Sequence, residues 1–277
     1  MQAINTNIFS ENAQRQLLRT NNLLQTSMQR LSSGLRINSA KDDAAGLQIS
    51  NGMSAQIGGL TVAIRNANDG ISLAQTAEGA MDEMTNILLR MRDLSIQGSN
   101  ATYSSNDNAA LDAEYQALNT ELTRITTTAK FNGQALLNGS GGDSGTFSIA
   151  VDYEDGATNN IDIDLTTDLS ADGVPDGDLT DASNAQSAVA AIDTAISNVD
   201  SARAALGAIQ SRLQSTVNNL SNVRENLSAA RSRIMDTDFA AETANLSKYQ
   251  VMQQASTAML AQANAMPQNV LYLLGRG

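Results

Sequence analysis

Apolar residues recur every seven positions toward the C-terminal end of the chain: Ile192, Val199, Leu206, Leu213, Leu220, Leu227 and Ile234. Val189, Ile196 and Val217 fill some companion positions, and Arg203, Gln210, Arg224 and Arg231 fill others. Repetition sustained this long predicts a coiled-coil-type seam on one long helix. The first half carries a matching pattern. Met53, Ile57, Leu60, Ile64, Ala67, Ile71, Ala74, Met81, Met84, Leu88 and Met91 step by three and four, with one break at Glu78. Asp42 and Asp43 are suited to cap this helix at its N-terminus, and Gly98-Ser99-Asn100 to stop it. A helix of about fifty-five residues spans roughly 80 Å. A third helix places Leu111, Tyr115, Leu118, Leu122, Ile125 and Ala129 on one face and ends at a turn, Phe131-Asn132-Gly133.

The period then changes. Phe147, Ile149, Val151 and Tyr153 alternate with small or polar residues, and Ile161, Ile163 and Leu165 alternate with Asp162 and Asp164. With Glu154-Asp155-Gly156 between them, the two runs predict a β-hairpin. Residues 166–182 read as an Asp- and Gly-rich loop. The first long helix holds Gly46, Gly52, Gly58, Gly59, Gly70 and Gly79, each costing about 1 kcal/mol relative to Ala. Either the cost is merely tolerated, or the small residues admit another backbone, from within the subunit or from a neighbour.

Both chain ends read as amphipathic helices of modest apolarity. Leu17, Leu24 and Leu31 are spaced by seven, as are Met28 and Leu35, with Asn21 where an apolar residue would continue the second row. Met252, Met259, Met266 and Leu273 repeat the spacing at the other end. No charged residue lies between Tyr249 and Gly275, and residues 1–35 hold only Glu11, Arg15, Arg19 and Arg30. A solvated helix carries Lys and Glu on its polar face. A neutral polar face rich in Gln, Asn, Ser, Thr and Ala suits burial against similar faces, in an ordinary helix pair or inside a polymer. Such ends are marginal alone and are expected to gain order as neighbours crowd them.

Composition narrows the function. The chain has no Cys, His or Trp and only two prolines, Pro175 and Pro267. Few helix breakers permit long uninterrupted helices. Without His and Cys, most nucleophile–base pairs and nearly all transition-metal sites are missing. Carboxylate or Lys chemistry stays open, but no organised constellation supports it, and an enzyme is not expected. Eleven of the 29 acidic residues fall between Gly141 and Ala182, a stretch with no Lys or Arg. The net charge of −12 therefore belongs to one insert, and the rest is close to neutral. Asp168, Asp172, Asp176, Asp178 and Asp181 offer carboxylates of the kind that suit calcium, but not at EF-hand spacing, so a solvated loop and no cofactor are expected. No basic patch exists for nucleic acid. No apolar run approaches membrane-spanning length, and basic residues are too scarce for a membrane-surface helix. The N-terminus lacks the basic and apolar regions of a secretory signal. The sequence therefore suggests a cytosolic protein, or one exported by a route that reads something else.

Asn5-Thr6-Asn7, the run from Leu31 to Gly46 (LSSGLRINSAKDDAAG) and Phe131-Asn132-Gly133 resemble bacterial flagellin. So do the runs Ser228–Ile234, Asp236–Ala240 and Gln262–Leu271. The resemblance covers residues 1–140 and 183–277 and implies a mainly α, hairpin-like chain with a small β-hairpin, its two termini paired in an inner helical domain. Residues 1–43 with 237–277 would form the inner coiled-coil domain and spoke. Residues 44–140 with 183–236 would form the outer helical bundle, and 141–182 a minimal variable insert. The implied function is a structural subunit that polymerises into the extracellular flagellar filament for swimming, exported without a cleaved signal peptide through the flagellar type III channel. Leu17, Leu24, Met28, Leu31, Met252, Met259, Met266 and Leu273 would then serve polymerisation. The implied partners are further copies of the chain, filament cap and hook-associated proteins, and an export chaperone at residues 241–277. A host Toll-like receptor that senses flagellins would recognise Arg90, Leu94 and Glu114, in a motif where Asp93 stands in place of the family's frequent Glu. A hook–filament junction protein shares the terminal motifs, and a secreted adhesin is a further alternative. The tail Leu273-Leu274-Gly275-Arg276-Gly277 runs longer than the common family ending.

Overall fold

A computed structural model describes residues 7–152, 159–166 and 177–274, the side chains of 267–274 excepted. Tyr153, the Glu154-Asp155-Gly156 turn, Asp168, Asp172, Asp176, the side chain of Leu273 and the last three residues therefore lie outside the described part. The protein is mainly α. Its described elements are α1 (Ile8–Ser33), α2 (Ala44–Gly98), α3 (Ser105–Thr128), β1 (Lys130–Phe131), β2 (Gln134–Ala135), β3 (Thr146–Ala150), β4 (Asn160–Asp164), α4 (Ala182–Met235) and α5 (Phe239–Leu274). They form two compact units, Met1–Ala55 with Asn226–Gly277, and Gln56–Glu225.

The larger unit is built around α2. The step of three and four brings Leu60, Ala67, Ala74, Met81, Met84, Leu88 and Met91 to one side, where all are buried. Glu78, which interrupts the row, accepts a 2.8 Å hydrogen bond from the Gln210 amide, a polar residue of α4 where the heptad ladder also lapses. Arg203, at another lapse, pairs with Asp82 at 3.0 Å. Ile192, Val199, Leu206 and Leu213 are buried, whereas Leu220, Leu227 and Ile234 are half-buried. Tyr115 and Leu122 of α3 complete the helical core.

Local chemistry ends each element. Ser104 caps α3 in a reciprocal box with Asp107, and that hydroxyl holds the Asp107 carboxyl below its usual range. Asn132 and Gly133 have φ of 49° and 82°, the left-handed pair that a two-residue hairpin turn between β1 and β2 requires. β3 and β4 pair antiparallel with Phe147 opposite Ile163 and Ile149 opposite Ile161, the register that alternation predicts. Their apolar side lies on the helices. Ile149 packs over Gly70, where an added Cβ would meet its Cγ1 at 3.1 Å, and the Asn66 amide donates to the Ala150 carbonyl at 3.0 Å. Gly70 thus admits a side chain rather than another backbone, and Gly52, Gly58 and Gly79 face open space within the chain.

The smaller unit joins the two ends of the sequence. Asn7 caps α1 by accepting from the Ser10 amide, and Gly34 closes that helix in the left-handed conformation, φ 72°, where an added Cβ would meet the Phe239 ring at 3.8 Å. The segments leaving α1 and α4 then bridge at Leu35 and Asp236. The Arg36 amide donates to the Met235 carbonyl at 2.6 Å, and the Thr237 amide to the Gly34 carbonyl at 3.0 Å. Asp43 caps α2 through the Gly46 amide at 2.9 Å. Asp42 instead fixes the preceding turn. It accepts from the amides of Asn38 and Ser39 and from the Ser39 hydroxyl, which together lower its pKa.

Candidate assembly surface

α1 and α5 lie side by side along the smaller unit. The residues of α1 that face α5 follow the coiled-coil step of three and four: Ser10, Ala13, Leu17, Thr20, Leu24, Ser27 and Leu31. Ser10, Thr20 and Ser27 are the buried members, and the leucines are only half covered. On α5 the covered face includes Glu242, Leu246, Tyr249, Met252, Gln253, Ser256, Leu260 and Ala263, among which Glu242 and Ala263 are buried. Small side chains let the two backbones approach closely. Neutral polar groups then satisfy one another across the pair. The Asn7 amide donates to the Ala263 carbonyl at 2.8 Å, the Ser10 hydroxyl to Asn264 Oδ1 at 2.7 Å, and the Gln253 amide to Asn21 Oδ1 at 2.8 Å. Thr20 returns its hydroxyl to the Gln16 carbonyl of its own helix. Arg30 and Glu242, 3.9 Å apart, form the ion pair of this unit among the described residues.

Several of the large apolar side chains point the other way. Phe9, Leu18, Val251 and Met259 are 61–65% exposed, and Ile8, Met28 and Met266 are also open to solvent. Phe9, Ala13, Met252, Met259, Ala263 and Met266 line an apolar groove of about 480 Å³. Burying polar and exposing apolar residues reverses the usual order, and contiguous exposed apolar surface marks an interaction site. The eight positions expected to serve polymerisation therefore divide. Leu17, Leu24, Leu31 and Met252 are half-buried, turned toward the helix pair, whereas Met28, Met259 and Met266 look outward. Leu273 belongs to α5, with its side chain outside the described residues. Sequence reasoning passed over Ser10, Thr20, Ser27, Glu242 and Ala263. Their signal was present in the step of three and four, but carried by small and polar residues.

On the larger unit, Arg90 and Glu114 meet at 2.6 Å, both about half exposed, joining α2 to α3. Leu94 does not accompany them to the surface. It is 1% exposed and sits in the core, one step beyond Met84, Leu88 and Met91 on the same face. The outward apolar residue beside Arg90 is Leu89, 48% exposed. Arg92 pairs with Asp193 at 2.6 Å, and that carboxylate raises the guanidinium pKa. No group of acidic side chains able to hold a metal occurs among the described residues. Asp178 is occupied with its own turn, accepting from Thr180, which lowers its pKa. No described helix is long and apolar enough to cross a membrane.

Comparison with known proteins identifies the family. The bacterial flagellin N-terminal helical region matches residues 4–141, and the bacterial flagellin C-terminal helical region matches residues 189–274. A flagellin of Halalkalibacterium halodurans is 50% identical over 274 residues, covering 98% of this chain and 99% of that protein. Flagellin A of Vibrio cholerae serotype O1 is 40% identical over 374 residues, with the same coverage. Among solved structures, a Bacillus cereus flagellin superposes with a TM-score of 0.50 at 31% identity, over 60% of this chain and 94% of that one. A protein described as flagellar hook-associated, from Vibrio parahaemolyticus, shares the fold at 14% identity, with a TM-score of 0.60 over 70% of this chain and all of that one. Matched at both ends by the family's helical regions and along nearly its whole length by its members, the chain belongs to the bacterial flagellins, the structural subunits of the extracellular flagellar filament.

Proposed function

We propose that α1 and α5 are the polymerising element of this flagellin, and that their outward apolar faces are buried against other copies in the filament. The observation that carries this reading is the inversion just described: the fully buried residues of the pair are small or polar, its leucines are only half covered, and Phe9, Leu18, Met28, Val251, Met259 and Met266 stand exposed outside it. Residues 1–43 with 237–277 form the inner domain and spoke, 44–140 with 183–236 the outer bundle, and 141–182 the solvent-facing insert. The insert's like charges keep neighbouring filaments apart. The same apolar faces must be masked before assembly, so an export chaperone holds residues 241–277. Filament cap and hook-associated proteins meet the ends of the polymer, and the subunit leaves the cell without a cleaved signal peptide.

Leu18→Asp and Met259→Asp test the polymerising role. Both positions are exposed, at 64% and 65%, so the free subunit should lose little stability. In a filament the new carboxylate must be desolvated, at a cost of several kcal/mol. Growth from filament seeds, followed by sedimentation, should need at least about a hundredfold more subunit, equivalent to about 2.7 kcal/mol. Growth at the normal concentration would count against the reading.

Arg90 and Glu114 are proposed as the direct contacts for the host Toll-like receptor, with Leu94 acting from beneath by holding the α2 face. An exposed ion pair contributes about 0–1 kcal/mol, so altering it should leave the fold intact. Arg90→Glu should reduce receptor signalling by at least about tenfold, the effect of a lost charged contact. Reversing both residues restores an ion pair and should not restore signalling. Undiminished signalling by Arg90→Glu would exclude a contact there.

A further inference from the structure

The chain has ten methionines and no Cys, His or Trp, which leaves thioethers as its principal sites of two-electron oxidation. Their placement is uneven. Met81, Met84 and Met91 lie in the core of the larger unit at 0–1% exposure. Met28, Met259 and Met266 stand at 51%, 65% and 39% exposure, all on the outward side of the terminal helix pair. Met259 and Met266 share the apolar groove with Phe9. We infer that Met28, Met259 and Met266 form an oxidation site in the free subunit, where peroxide converts the surface used for assembly from apolar to polar.

The chemistry balances on the chain and the peroxide alone. The sulfur lone pair attacks one oxygen of hydrogen peroxide, a sulfur–oxygen bond forms and the oxygen–oxygen bond breaks. The thioether loses two electrons, and the peroxide leaves as water after a proton moves between its oxygens. The sulfoxide is polar and chiral, and it disrupts methionine-rich contacts. Core methionines are shielded from the reagent. Methionine sulfoxide reductases with a dithiol reverse the change, oxidising the dithiol to a disulfide and releasing water. Peroxide would thus withdraw subunits from the assembly-competent pool, and the reductases would return them.

This inference rests on the polymerising role of α1 and α5, and the test keeps the two apart. Free subunits are treated with hydrogen peroxide and each methionine is followed by peptide mass mapping. Met28, Met259 and Met266 should oxidise at least about tenfold faster than Met81, Met84 and Met91. Equal rates would overturn the site. Seeded growth of treated protein should fall at least about tenfold and recover after treatment with both reductases and dithiothreitol. The variant with Met28→Leu, Met259→Leu and Met266→Leu is compared with its own untreated growth. It should keep more than half of that growth; a loss as large as in the unsubstituted protein would place the damage elsewhere and overturn the inference. Intact filaments are mapped in parallel. Protection of the three methionines there supports both readings. Oxidation there as fast as in the free subunit would sink the polymerising role while leaving the mapped site of the free subunit standing.

Discussion

A subunit lacking residues 239–277 is expected to remain soluble and single and to add nothing to filament seeds. The deletion removes α5 and strips α1 of its facing helix. It takes away the partner of Ser10, the Ala263 carbonyl that Asn7 binds, and the Gln253 amide bound to Asn21. An isolated helix of the length and weak apolarity of α1 is marginal in water. The outward set of Met259, Met266 and Val251 disappears along with it. The core of the larger unit is formed within residues 56–225 and should persist. Electron microscopy of seeded reactions, with the sedimentation coefficient of the free protein, reads both halves of the expectation. Filaments of normal shape from the shortened chain would refute the assignment of α5 to polymerisation. Deleting residues 7–35 should give the same result, because the pair fails whichever helix is missing.

Leu206→Ala should produce the largest loss of stability from a single side chain. Leu206 is fully buried in the seam of α4, in the cluster that also contains Met81, Met84 and Leu88. Truncation removes the transfer free energy of its side chain and leaves a cavity, together about 2–5 kcal/mol. For a unit of this size that lowers Tm by about 5–15 °C. Val223→Ala, on the same helix but 37% exposed, should stay within about 0.5 kcal/mol of the parent. Thermal unfolding followed by far-ultraviolet circular dichroism gives both values. A fall of less than about 2 °C for Leu206→Ala would mean that the seam can collapse around the gap.

Much of this fold was legible in the sequence, because it is built from periodic elements with strong ends. The cap at Asp43 and the stop at Gly98 bracket α2, and the alternation from Phe147 to Ile163 gives the β3–β4 register. The ladder from Ile192 to Leu213 is core. Its spacing continues unchanged through Leu220, Leu227 and Ile234, which are only half covered, since spacing records the face of a helix and not how completely that face is overlaid. The terminal pair was harder to read. Hydropathy follows the large side chains, and on α1 and α5 several of the largest point away from the partner helix. The buried positions of the seam are Ser10, Thr20, Ser27 and Ala263, small residues that a search for large apolar side chains passes over. At Leu94 two signals of the sequence disagree. Its position on the Met84–Leu88–Met91 face predicts burial, while the resemblance placed it at a surface contact.

The hydrogen bond from Ser10 to Asn264 joins residues 254 positions apart. Contacts at such separation carry a high loop-closure entropy and form late. The larger unit can complete its packing from residues 56–225 alone, whereas the α1–α5 pair must wait until the chain has been made as far as Asn264. A polypeptide cut short by a ribosomal fault or a protease never acquires that pair. With α1 and α5 proposed as the polymerising element, joining them across 254 positions would make both helices a condition of incorporation and would screen shortened chains out of the growing polymer.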